Sequence, residues 1–187
     1  VTVLQIASAY AAIANGGVLL KPRLVKQIIN ENGDIVFASK PKPIRKITKP
    51  EIMAEMKEIL EKVVNEGTGS KANIEGWSIA GKTGTTQNQS DGWFIGMVPN
   101  LVTGVWVGGE DRSVHFESIA FGQGATMALP IWGSYMKQIY ADSTISVSSG
   151  RFEAPIDVSI PIDCDSLSIE LKKKSFFEKD GLNELGL

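Results

Sequence analysis

The chain has 187 residues, 43% apolar and 21% charged, and its 19 basic against 21 acidic side chains leave a formal charge of −2. That composition suits one globular domain or a large part of one, and the intermixed signs exclude the single-sign field that recruits nucleic acid or an anionic membrane surface. The longest apolar stretch, Ile6 to Ala14 broken by Ser8, falls far short of the roughly 20 residues of a spanning helix, so no membrane contact is expected of this segment.

The chain opens at Val1 inside an apolar run, without an initiator Met or a signal-peptide pattern, and is read as a piece of something longer. From Thr2 to Asn15 nearly every position is apolar or small, and Gly16-Gly17 follows. Apolar residues all round, ended by glycine, predict a buried helix. Leu24 to Asn30 is rich in Val and Ile, Asn32-Gly33 is a turn signal, and Ile35 to Ala38 can return as the second strand of a hairpin. Thr48, three residues before Glu51, predicts a capping box, with Ile47 and Ile52 as its hydrophobic staple. The helix so started carries Ile52, Met56, Ile59, Leu60, Val63 and Val64 at helical spacing as its buried stripe, and Gly67-Thr68-Gly69 ends it.

Trp77 to Thr86, Gly92 to Val98 and Leu101 to Gly108 are short β-branched and aromatic segments that read as consecutive antiparallel strands. Val105 and Val107 face one way and Trp106 the other, so the sheet needs cover on both faces. Ile131, Trp132, Tyr135, Met136, Ile139 and Tyr140 place a covering helix within Thr126 to Asp142, with Pro130 in its first turn. The fold class is therefore α+β, an α/β sandwich of antiparallel strands under helices. Residues 143–187 turn Ser-rich, then Pro-containing, then charged, and are read as a linker and extended tail beyond a domain portion of residues 1–142. A single cysteine, Cys164, and a single histidine, His115, exclude an internal disulfide, a zinc site and a His-based triad. Cys164 lies between Asp163 and Asp165, which disfavour a thiolate, and both residues are read as structural or surface.

The informative stretch is Gly81-Lys82-Thr83-Gly84-Thr85-Thr86. Read back to Gly76 it satisfies the phosphate-loop pattern, but that loop needs a strand before it and a helix after it. Here Trp77 to Ala80 is apolar and strand-like, and Gly84-Thr85-Thr86 starts no helix. The other reading is the Lys-Thr-Gly element of the penicilloyl-serine transferases. On a strand, Lys82 sets a cation beside the site, Thr83 is expected to point into the core, and Gly84 lets a substrate backbone lie against the strand. Thr85 is expected to return to the cleft side, with a hydroxyl for a carboxylate and a backbone N–H for an oxyanion hole.

The flanks carry a resemblance. Val3 to Gly17 resembles the helix that follows the Ser-x-Asn motif in penicillin-binding proteins. Gly81 to Thr86, Asp91 to Gly96 and Val105 to Gly108 match the three sheet strands that follow in that family, and Ala128 to Trp132 the start of its last helix. The phrasing is most similar to the bifunctional, class A type. The resemblance implies a serine D,D-transpeptidase that cross-links peptidoglycan stem peptides through an acyl-serine, binds β-lactams and needs no cofactor or metal. It also implies a glycosyltransferase domain and a membrane anchor upstream, on the extracytoplasmic side of the bacterial inner membrane. Lys82 is its catalytic residue here, and Thr83, Gly84 and Thr85 its substrate-binding residues.

The nucleophilic Ser-x-x-Lys and the Ser-x-Asn motif of that family lie upstream, so this segment alone is expected to be inactive. Ser134 to Lys137 and Ser39 to Lys42 fit Ser-x-x-Lys by chance, and Thr86-Gln87-Asn88 is read as turn chemistry. The strand around Val105 is expected to lack its neighbour from the upstream half, which would leave an apolar edge unpaired. The alternatives are a degenerate module that binds peptide without cutting it, and a nucleotide-binding protein.

Overall fold

In the computed structural model, which describes residues 1–153, helix α1 (Val3–Ala14) begins at a reciprocal cap. Gln5 N–H donates to Thr2 Oγ1 at 3.2 Å and Thr2 N–H donates to Gln5 Oε1 at 2.9 Å, so two otherwise orphaned donors are satisfied. Gly16 (φ 78°) and Gly17 (φ 90°) end the helix in the left-handed region. A Cβ on Gly17 would stand 2.8 Å from the Thr48 carbonyl, so this turn tolerates only glycine where it crosses the chain entering the second helix.

The expectation of a helix buried all round needs correction: Ala12 is buried, but Leu4 is 61% exposed. One face of α1 packs on the sheet, with Val3 against Gly104, and Tyr10, Ile13 and Ala14 against Leu60, Ala80 and Met97. The other, with Leu4, Ala7, Ser8 and Ala11, borders an open groove of about 460 Å³ shared with residues 99–102.

Two small antiparallel ladders come next in the chain. β1 (Val18–Leu20) pairs with β4 (Pro43–Lys46), and between them β2 (Gln27–Ile29) pairs with β3 (Ile35–Ala38). The inner hairpin is the expected one, shortened at its start to Gln27, and Gly33 supplies the left-handed turn residue at φ 87°.

Helix α2 (Pro50–Asn65) starts one residue later than expected. Lys49 is the cap and makes no side-chain cap bond; Pro50, which needs no N–H partner in the first turn, starts the helix without one. The buried stripe is also turned. Met53, Ala54, Lys57, Leu60 and Val64 are buried, while Ile52, Met56 and Ile59 are at least 36% exposed. The rotation follows from what α2 meets. Met53 packs at the Gly17 turn, Leu60 joins one core cluster with Ala80 and Met97, and Val64 joins the other with Ile79 and Phe94, so the helix straddles the start of β5. Lys57 lies along this stripe, where a long aliphatic stem can be covered.

The central sheet is β5 (Ala80–Thr85), β6 (Asp91–Val98) and β7 (Leu101–Gly108), antiparallel in that order. Its register sets two faces. Gly81, Thr83, Thr85, Phe94, Gly96, Val105 and Val107 share one, and Ala80, Lys82, Gly84, Trp93, Ile95, Met97 and Trp106 the other. Helix α5 (Leu129–Ala141) covers the first, with Trp132 edge-on to Phe94 at 5.1 Å and a position over Gly96 that leaves no room for a Cβ. Helix α1 covers the second. Both faces of β7 are thus met by helices, and its outer edge pairs with no strand among the described residues.

Residues 143–153 contain no helix or strand, yet they are anchored. Asn100, in the β6–β7 turn, donates to the Ser146 carbonyl at 2.9 Å and accepts from Ser148 N–H at 2.8 Å. Val147 packs on the α5-side core and Phe152 on the α1-side core. Cys164 and the rest of the expected tail lie outside the described residues.

Candidate active site

The four site residues expected from the sequence lie together on β5, and the ladder decides which backbone groups they offer. Thr86 N–H donates to the Asp91 carbonyl at 3.1 Å, in register with Thr85 opposite Gly92. Antiparallel pairs alternate between bonded and non-bonded, so the N–H and C=O groups of Thr83 and Thr85 point away from β6, toward the edge of β5 that pairs with no strand among the described residues. The Thr85 N–H thus faces the side on which an added strand or an oxyanion would lie. Lys82 is exposed, and its Nζ donates to the Thr83 carbonyl at 3.0 Å, which holds the ammonium on the same edge.

The side chains are arranged differently from the expectation. Lys82 and Thr85 are three residues apart and fall on opposite faces of the pleat. Thr85 shares a face with Thr83, and its Oγ1 accepts from the Gly124 N–H at 3.1 Å, so its hydroxyl is tied to the short helix α4 (Gly124–Met127), which follows α3 (Ile119–Gly122). Thr83 does not enter the apolar core either. It is half-buried, and its Oγ1 lies 3.0 Å from the Thr68 Oγ1, just beyond α2. Gly84 faces Trp93, and a Cβ there would meet the Trp93 Cβ at 3.2 Å. Gly81 is a packing glycine, since its Cβ would come within 2.8 Å of the Ile95 carbonyl.

The end of the strand is closed by a polar network. Thr86 Oγ1 donates to Asp91 Oδ2 at 3.0 Å and accepts from Asp91 N–H at 3.0 Å, while Trp106 Nε1–H donates to Asp91 Oδ1 at 2.9 Å. Asn88 (φ 59°) and Gln89 (φ 54°) make the intervening turn, so Thr86-Gln87-Asn88 is turn chemistry. Trp93 leans on Trp106 at 6.3 Å between centroids, packing across the strands.

The remaining sequence candidates are placed elsewhere. Ser134 and Lys137 are exposed on α5 and line a cavity of about 410 Å³ with Lys71 to Ile74, away from Lys82 to Thr85. Ser39 comes directly after β3, where its carbonyl accepts from Arg23. Gly81 to Thr83 lie mid-strand and another strand comes after them, so the phosphate-loop context is absent. His115 is exposed. No three metal-ligating side chains come together among the described residues.

Two residues at the site were missed from sequence. Gly124 belongs to a small-residue run, Gly122-Gln123-Gly124, but nothing local ties it to Thr85. Thr68 carries no local signal beyond its place in a helix stop.

Comparison with known proteins shows the family. Residues 1–126 match the family described as penicillin binding protein transpeptidase domain. The chain is 40% identical over 139 residues to penicillin-binding protein 1A of Aquifex aeolicus and 34% over 141 residues to that of Neisseria lactamica. These alignments cover 74% and 73% of this chain but 19% and 17% of the relatives, so it spans under a fifth of their length. Among solved structures, penicillin-binding protein 1A from Haemophilus influenzae aligns with a TM-score of 0.69 at 25% identity, over 83% of this chain and 28% of that one. An imipenem acyl-enzyme complex of penicillin-binding protein A from M. tuberculosis aligns at 0.59 and 27% identity, over 73% and 31%.

Proposed function

Because the chain belongs to the penicillin-binding-protein transpeptidase family, we propose that it forms the β5 wall of a peptidoglycan D,D-transpeptidase active site. The observation that carries this reading is the free edge of β5, where the Lys82 ammonium and the outward N–H groups of Thr83 and Thr85 line one strand. Such an edge receives an extended peptide by strand addition. Lys82 attracts the substrate carboxylate and polarises the hydroxyl relay of the nucleophile, and Thr83 offers its hydroxyl to that carboxylate. Gly84 keeps the strand surface low, and the Thr85 N–H donates to the oxyanion of the tetrahedral intermediate. The Thr85 hydroxyl, held by Gly124, fixes the strand end on which that N–H is carried.

In this reading the serine nucleophile and its lysine come from the upstream half of the same domain. The serine attacks the D-Ala-D-Ala carbonyl, D-Ala leaves, and an amine of a neighbouring stem peptide resolves the acyl-enzyme. β-Lactams acylate the same serine. Residues 1–142, with the anchored segment through Phe152, form the C-terminal part of the transpeptidase domain. The parent protein is of the bifunctional type, with a glycosyltransferase domain and a membrane anchor upstream, and works outside the cytoplasmic membrane.

Intact-mass measurement after incubation with penicillin tests this. A single adduct on the full-length protein and none on residues 1–187 is the expected result. No adduct on the full-length protein would leave a peptide-binding module without acyl-transfer activity, and an adduct on residues 1–187 would move the nucleophile to a serine such as Ser134.

A further inference from the structure

Next to Lys82, the Thr68 side chain reaches β5 from outside the sheet. Thr68 Oγ1 lies 3.0 Å from Thr83 Oγ1, across 15 residues of sequence. The turn that carries Thr68 is tightly held. Gly67 N–H and Gly69 N–H both donate to the Val63 carbonyl, at 3.2 and 3.0 Å. A Cβ on Gly67 would stand 2.9 Å from that oxygen and one on Gly69 3.1 Å from it, so glycine on either side lets the chain wrap closely on the end of α2. Helix α2 is in turn fixed by Leu60 and Val64 in the two core clusters. Thr68 is therefore a hydroxyl mounted on a rigid element and aimed at a residue of the candidate active site.

We propose that Thr68 is a positioning residue for Thr83, a role that rests on the transpeptidase reading above. Thr83 is β-branched, so only a few χ1 wells are open to it, and the hydrogen bond to Thr68 stabilises the one observed. Thr68 selects the rotamer that keeps Thr83 Oγ1 on the Thr68 side of the strand. It also directs the proton. A threonine hydroxyl has one proton and two acceptor sites. When Thr68 donates to Thr83, the Thr83 proton is free for another acceptor. The Lys82 ammonium, 3.0 Å from the Thr83 carbonyl, makes this edge attractive to an anion, and a carboxylate arriving there accepts a hydrogen bond from the Thr83 hydroxyl while Thr68 donates to the Thr83 Oγ1. The relay moves no charge and breaks no covalent bond; it aligns two hydroxyl dipoles toward the ligand carboxylate.

The test is the acylation of the full-length protein by benzylpenicillin, whose carboxylate is the probe, in the wild type, Thr68→Val, Thr68→Ser, Thr83→Val and the double Val variant. Valine keeps the branched shape and removes only the hydroxyl. Thr68→Val is expected to slow second-order acylation about tenfold, the effect of roughly one hydrogen bond to a charged ligand, through weaker initial binding rather than a slower limiting rate. Thr68→Ser is expected to restore the rate to within about twofold, since the hydroxyl is retained. In the Thr83→Val background, Thr68→Val is expected to add nothing further. A wild-type rate for Thr68→Val, an undiminished effect without the Thr83 hydroxyl, or no rescue by serine would each overturn the proposal. A wild type that forms no adduct refutes the transpeptidase reading instead; the Thr83 methyl ¹³C shift then decides the pair, and an identical shift in wild type and Thr68→Val overturns it.

Discussion

The Thr85 hydroxyl accepts a hydrogen bond from the Gly124 N–H at 3.1 Å, and a Cβ on Gly124 would fall 2.4 Å from the carbonyl oxygens of both Gly84 and Trp93. The strand that carries the candidate site and the start of the helical cover are thus in backbone contact. Any side chain at residue 124 forces them apart. Gly124→Ala is expected to destabilise the full-length protein's transpeptidase domain by roughly 2–3 kcal/mol, the cost of overpacking a site that cannot relax. Calorimetric melting would show it, and an unchanged midpoint would mean that α4 moves away freely. Acylation by penicillin should fall as well, because Thr85 loses its partner.

Lys82 is exposed and its ammonium donates to the next residue's carbonyl, so its removal should cost function and spare the fold. Lys82→Met keeps an unbranched side chain and deletes the charge. Acylation is expected to fall on the order of 100-fold, as for loss of one preorganised electrostatic contact, while the melting midpoint stays within about 1 °C, as for an exposed position away from the core. Stopped-flow acylation with a fluorescent penicillin measures the first, and a wild-type rate would remove Lys82 from the site.

Burial pushes the Tyr140 phenol up to about 12 from its ordinary 10.0, and its hydroxyl has no hydrogen-bond partner. Its ring stacks on Trp77 at 3.4 Å. The folded state therefore holds the phenol proton more tightly than the unfolded state does. This contribution is complete below pH 10 and is lost as pH rises from about 10 to about 12. Denaturation in urea across that range should show stability falling more steeply in the wild type than in Tyr140→Phe. At pH 7 the phenylalanine variant should be equal or more stable, because an unpaired buried hydroxyl is removed without loss of the ring. A wild type and variant with the same alkaline slope would contradict the assignment.

Asn100 uses both ends of its amide to hold residues 146 and 148, at 2.9 and 2.8 Å. Asn100→Ala removes both bonds at an exposed turn, with an expected loss of about 1–2 kcal/mol. The larger effect should be local. The Ser148 amide should exchange faster and proteases should cut sooner between residues 143 and 153, because Val147 and Phe152 lose the clamp that keeps them on the core. Unaltered exchange at Ser148 would show that apolar packing alone holds the segment.

The order of elements was legible because it rests on local signals. The glycines after α1 and the two strands around the Pro99-Asn100 turn each act within a few residues. Apolar spacing over Thr126 to Asp142 predicts one helix, whereas α4 and α5 meet at Ala128 and the long helix begins at Leu129. The β1–β4 ladder was not legible, because two strands of 3 and 4 residues give no periodicity and find each other only in space.

By itself, the sequence determined that Lys82, Thr83, Gly84 and Thr85 stand on a strand, since glycine and β-branched residues in that order suit a strand and not a phosphate-binding turn. Its ordered motifs also carried the family resemblance. Only the tertiary structure decided where those side chains go. Hydrophobic spacing says that α2 has an apolar stripe, but Ile52, Met56 and Ile59 were equally good candidates, and the choice of Met53, Leu60 and Val64 was made by the two core clusters that α2 straddles. The same holds for the hydroxyls. Thr83 meets Thr68 and Thr85 meets Gly124 across 15 and 39 residues, and no local pattern encodes a hydrogen bond between groups that approach only when helix and strand pack.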